Sequence, residues 1–149
     1  IKDNLELNDI PKEPSMLGKA NIISEGKDIT IVSYSNMVNV AKEAIVVDEL
    51  ENCSIELIDL QTVSPIDYDT IKTSLKKTKK LLVCQEAPAN SSVGTTVISK
   101  IVESELFQEL EIAPKLVSGL HSPMPSAKHL ELNVIPQVED ITNALKSML

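Results

Sequence analysis

Residues 54–87 read SIELIDLQTVSPIDYDTIKTSLKKTKKLLVCQEA, two runs rich in Ile, Leu and Val separated by one helix-length segment. SIELIDL, 54–60, and KLLVCQ, 80–85, have the length and composition of buried strands. Between them Tyr68, Ile71 and Leu75 recur at helical spacing. Ser64-Pro65 breaks the chain after the first run, and Asp67 stands where a helix needs a capping carboxylate. Strand, helix, strand in one short span predicts a right-handed crossover within a mostly parallel sheet, with the helix covering the sheet.

The same alternation extends in both directions. DITIVSYS, 28–35, is a further strand, followed by Met37, Val40, Ala41, Ala44 and Val47 at helical spacing. Downstream, Val93, Val97, Ile101 and Val102 form a stripe that Ser91 or Ser92 can cap, and APKLVSGL, 113–120, is a shorter strand. Val138, Ile141, Leu145 and Met148 mark a last helix, with Pro114 and Pro136 flanking these final elements. GKANIISEG, 18–26, has enough apolar alternation for a short edge strand. The pattern predicts an α/β domain over 18–149, a mostly parallel sheet with helices on both faces. Residues 1–17, with Pro11, Pro14 and several acidic side chains, show no period and read as a linker or arm from a preceding domain. The first residue is isoleucine, so a longer native polypeptide is expected.

Composition removes several functions. At 149 residues and 42% hydrophobic, the chain can bury one sizeable core. It has no apolar run near the roughly 20 residues of a membrane span, so a soluble protein without a membrane partner is expected. A formal charge of −8 opposes nucleic-acid phosphate. All 14 basic residues are lysine, which excludes a planar, bidentate arginine clamp. Cys53 and Cys84 form no CxxC pair, and His121 and His129 have no cysteine beside them, so neither a metal nor a disulfide is expected and the thiols suit a reducing compartment.

Two constellations invite a chemical reading. Lys76, Lys77, Lys79 and Lys80 precede Cys84 and could lower a thiol pKa. They also fall at a helix end, where positive charge meets unsatisfied carbonyls, while Cys84 falls inside an apolar strand that makes a thiol inert. The second is Gly94, behind Ser91 and Ser92 at a helix start that could hold an anion or could simply be capped. With only four glycines, neither GxGxxG nor a phosphate loop can be written. Glu86 differs, because it is expected just past the carboxyl end of a parallel strand, the edge where open α/β sheets place ligands and interfaces. The loop Ser122, Pro123, Met124, Pro125, Ser126 is stiffened by two prolines and is the companion candidate for an interface.

Several stretches together resemble a known family. LGKANIISEGKDITIVSYSNMV, ELIDLQTVSPIDYDTIKTSLKKTKKLLVCQEA, SSVGTTVISKIVE, APKLVSGLHSPMPSAKHLE and PQVEDITNAL are similar to the C-terminal domain of the beta subunit of thiamine-diphosphate-dependent 2-oxo acid dehydrogenases, its pyruvate dehydrogenase branch above all. The resemblance covers residues 17–149. It implies a three-layer α/β/α sandwich, its five-stranded sheet having an antiparallel first strand at residues 19–24. It implies that thiamine diphosphate and magnesium are held by the alpha subunit and the N-terminal part of the beta subunit, outside this chain. The isolated chain is then inactive, with no catalytic, cofactor-binding or metal-binding residue. Its implied partners are the alpha subunit, a second beta subunit and the dihydrolipoyl acyltransferase component, in a heterotetramer within a multienzyme complex. The implied compartment is a mitochondrial matrix, a plastid-type organelle or a bacterial cytoplasm. Glu86 matches the family's acid, whereas Gln61, Ser92, Thr96, His121 and Ser126 replace an arginine, a glycine, a glutamate, an acid and an aromatic. The corresponding domain of deoxyxylulose phosphate synthase and a free-standing ligand-binding module near Glu86 and Ser91 are the rival expectations.

Overall fold

The computed structural model describes residues 16–47 and 50–149, so all but the last two positions of the expected 1–17 arm lie outside the described residues. Five strands, β1 (Asn21–Ser24), β2 (Ile29–Ser33), β3 (Ile55–Asp59), β4 (Leu81–Pro88) and β5 (Lys115–Gly119), alternate with helices. The helices are α1 (Met37–Ile45), α2 (Tyr68–Thr78), α3 (Val93–Val102), α4 (Lys128–Glu131) and α5 (Val138–Lys146), with a 3-10 turn at Glu105–Glu109. The sheet order is β1-β3-β2-β4-β5, with β1 antiparallel to β3 and the other pairs parallel. This is the mixed five-stranded sandwich expected from the sequence.

Strand alternation builds two cores. Ile29, Ile31, Ile55, Leu57, Leu82 and Cys84 face α1 and α5, while Val32, Ile58, Leu81 and Val83 face α2 and α3. Both faces of β2 and β3 are therefore apolar, which is why these strands read as near-continuous hydrophobic runs. Each fully buried Ile or Leu contributes about 1.5–3 kcal/mol relative to exposure. Polar exceptions are partnered: Thr30 hydrogen-bonds Ser74 and Thr78 of α2 at 2.6 Å each. Glu56 accepts from the Gly26 N–H at 3.2 Å and from the Lys77 ammonium. Gly26 must stay small, since a Cβ there would lie 2.2 Å from the Ile55 carbonyl carbon.

The helix boundaries follow the local chemistry. Asp67 caps α2 by accepting from Thr70 N at 3.1 Å. Lys79 closes the same helix in the left-handed region, φ 56°, donating its N–H to Leu75 O at 2.9 Å. Ser92 caps α3 in a reciprocal capping box with Thr95, while Ser91 sits outside it at φ 50°. Four details differ from the sequence pattern. β4 runs on to Pro88 instead of ending at 85, because after Cys84 it leaves β2 and continues along β5 through a bulge that resumes at Pro88–Gly119. Val47 falls beyond α1, and Val102, expected on the buried stripe of α3, is exposed. The four-residue α4 is too short for a hydrophobic period to announce it.

Candidate functional site at the carboxyl edge of the sheet

The parallel strands end at one edge. β2 closes on Ser33, whose hydroxyl donates to Cys84 O at 3.0 Å and ties it to β4. Tyr34 follows, half-buried, and burial together with the nearby Glu86 carboxylate pushes its phenol pKa up. Glu86 itself lies within the bulged stretch of β4, half-buried and not beyond the strand. Its carbonyl abuts β5, since a Cβ on Gly119 would come within 2.1 Å of that oxygen. Gly119 leads directly into the proline loop, and Pro88, His121, Ser122 and Pro123 line a shallow cleft of about 320 Å³. The structure thus brings the end of β4 and the start of the 122–126 loop together.

Within that loop Ser122, Pro123, Met124 and Ser126 are exposed and Pro125 is half-buried. Met124 is 56% exposed, and it is accompanied by Leu120 at 59%, Leu130 at 45% and Leu132 at 50%. The three leucines escape sequence reasoning, because Leu120, expected as the last residue of the 113–120 strand, falls one residue beyond β5 and α4 is too short to define a face. The available signal was electrostatic: residues 112–138 carry Lys115, Lys128 and a single carboxylate, Glu131, in a chain of net charge −8. A stretch of this kind adds little like-charge repulsion when two acidic surfaces meet. Of the positions that depart from the family pattern, Thr96, His121 and Ser126 are exposed, and Gln61 sits at φ 55° with its N–H bound to Asp59.

The chemical constellations resolve into structure. Lys77 pairs with Glu56, Lys79 forms the helix end, and Lys80 donates to Met148 O at 2.8 Å. Cys84 is fully buried between β2 and β5, and burial drives its thiol pKa far above the ordinary value. Cys53 is also a free thiol, with its pKa raised by burial and by Asp28. Gly94 N–H, the candidate anion donor, is occupied by the buried Gln85 Oε1 at 2.7 Å, and Thr95 N bonds Ser92 Oγ at 3.3 Å. The Gly94, Thr95 and Thr96 donors of the first turn of α3 are therefore engaged by the protein itself. Among the described residues no three His, Cys, Asp or Glu side chains gather to hold a metal, and no helix is long and apolar enough to cross a membrane. These residues do not fit a diphosphate with its magnesium ion.

A five-stranded sheet, parallel but for one antiparallel edge strand and covered by helices on both faces, defines an α/β/α sandwich. The family profile described as "Transketolase, C-terminal domain" matches residues 18–141, and the chain belongs to that family. Its curated relatives are pyruvate dehydrogenase beta subunits. It is 39% identical over 136 residues to the pyruvate dehydrogenase E1 component subunit beta of Rickettsia bellii, covering 91% of this chain and 42% of the relative. The mitochondrial subunit beta of Pisum sativum is 39% identical over 130 residues, 87% of this chain and 36% of its own length. The chain thus spans about two fifths of the curated relatives it matches. Among solved structures it resembles a split-gene transketolase described as an inactive beta4 tetramer, with TM-score 0.73, 25% identity, and coverage of 95% of this chain and 44% of the other.

Proposed function

We propose that this chain is the C-terminal domain of a 2-oxo acid dehydrogenase beta subunit, of the pyruvate dehydrogenase type, and serves as an assembly platform. Its partners are the alpha subunit, a second beta subunit and the dihydrolipoyl acyltransferase component. Thiamine diphosphate and magnesium are held elsewhere in the assembled enzyme, in a mitochondrial matrix, plastid-type organelle or bacterial cytoplasm. The observation that carries the proposal is the exposure of Leu120, Met124, Leu130 and Leu132 in the segment 112–138, which carries a single carboxylate and whose Gly119 abuts the Glu86 carbonyl of β4. Exposed apolar area of this kind, rimmed by polar residues, is what subunit contacts bury.

Sedimentation of the longer native polypeptide with its alpha subunit tests it. Met124→Ala and Glu86→Gln should each weaken assembly, Met124→Ala by about threefold or more, roughly the effect of removing one interfacial apolar side chain. Unchanged assembly in both variants removes Glu86 and the 122–126 loop from the interface.

A further inference from the structure

The chain enters β1 at the same carboxyl edge, and the entry is built with unusual care. Gly18, at φ +73°, donates its N–H to Thr62 Oγ1 at 3.0 Å, and Thr62 Oγ1 donates in turn to Pro65 O at 2.9 Å. A Cβ at Gly18 would press to 2.9 Å on the Pro65 ring, so the turn and the loop are in direct contact. One residue pair further, Ala20 donates its N–H to Asp67 Oδ2 at 3.1 Å, and the Lys19 ammonium lies 3.8 Å from the same carboxylate oxygen. Asp67 is 4% exposed and also caps α2, so one buried carboxylate fixes the entering strand, the loop and the helix together.

On this fixed base the apolar side chains point outward. Met16 is 74% exposed, Leu17 83% and Val63 44%, with Pro65 exposed between them. The hydrogen bonds between backbone and side chains hold the turn in place, but the four apolar side chains displayed on it bury nothing within the domain itself. Such a display fits a surface that something else covers.

We infer that the turn 16–19 and the loop 62–65 form the seat of the part of the longer polypeptide that precedes this domain. This rests on the proposal that the chain is the C-terminal domain of a longer subunit. Two observations favour that occupant over another chain. The family profile is that of a C-terminal domain, and the curated relatives are more than twice as long as the matched region, which leaves most of a subunit to be placed. The patch also lies at the covalent point of entry, where a preceding segment of the same polypeptide has a high effective concentration and needs few contacts to dock.

Amide hydrogen exchange, followed by mass spectrometry on peptides spanning 16–24 and 60–68, tests the seat by comparing this 149-residue chain with the longer native polypeptide. The expected result is exchange slowed about tenfold or more in the longer polypeptide, at any protein concentration and before a second subunit is added. Val63→Asp should abolish that protection, and Val63→Ile should keep it. Equal exchange in both molecules overturns the seat. So does protection that rises with concentration, which assigns the patch to a second copy, or protection that needs the alpha subunit. Peptide 119–133 is the internal control: if it gains protection only with partner subunits while 60–68 does not change, the assembly proposal stands and the seat alone fails.

Discussion

Glu56 occupies a position on β3 where alternation calls for an apolar side chain, and it is 1% exposed. Burial raises its pKa, but the Lys77 ammonium, the Ser74 hydroxyl and the Gly26 N–H together outweigh that cost and hold it below the ordinary carboxylate value. Because the folded pKa is the lower one, the stabilisation is present above about pH 4.3, the ordinary Glu value. It is lost as the pH falls through the folded value. Glu56→Gln should therefore cost about 2–3 kcal/mol at pH 7, the range for a buried charged hydrogen bond. The difference from the parent should shrink towards pH 3, as read by urea unfolding at each pH. Cys84 gives a second prediction at this scale. Its thiol is buried and its pKa raised, so a thiol-specific reagent should label Cys53 many times faster than Cys84 in the native chain and both equally in urea. Rapid native labelling of Cys84 would contradict the inert assignment. That Cys84 is buried was legible from its apolar neighbours alone; the Glu56 partnership was not, since Gly26 and Lys77 are 30 and 21 residues away in sequence.

At the scale of elements, α2 carries a conflict between residue and geometry. Lys79 adopts φ 56° to close the helix, a region that a side chain occupies at a cost of about 1 kcal/mol and glycine does not. Lys79→Gly should raise stability by up to about 1 kcal/mol, measured by denaturant midpoint with an unchanged m-value. A loss of stability would mean that the lysine side chain does more than end the helix. The opposite end behaves differently: Asp67→Ala removes the α2 cap and the Ala20 tie at once, and should cost about 2 kcal/mol or more. The central strands were readable because burial on both faces leaves long apolar runs, and Asp67 because a cap needs a carboxylate at that offset. The extension of β4 to Pro88 was not, because a bulge sets it and no local residue pattern does. Nor was Ser92, rather than Ser91, fixed as the cap of α3, since both residue types serve equally and only the backbone turn at Ser91 decides.

For the whole molecule, the two edges of the sheet differ in kind. At the amino edge, lysines are spent on helix ends, on Glu56 and on the carbonyls just after α5, where Lys80 binds Met148 O and Lys115 binds Ser147 O. The carboxyl edge gathers Tyr34, Glu86, the proline loop and the exposed leucines, with no cluster of metal-ligating groups among the described residues. The loop and Glu86 were legible because prolines and strand ends are local signals. The leucines around them are a property of the folded surface, and their exposure has no sequence period. Under the proposed function, the domain contributes surface to a larger enzyme and cofactor chemistry falls to other parts of it. Isothermal titration of thiamine diphosphate with magnesium is the most direct test of that division. No saturable heat is expected with this chain alone, and stoichiometric binding once the longer polypeptide and its alpha subunit are assembled. Stoichiometric binding to the isolated chain would contradict it.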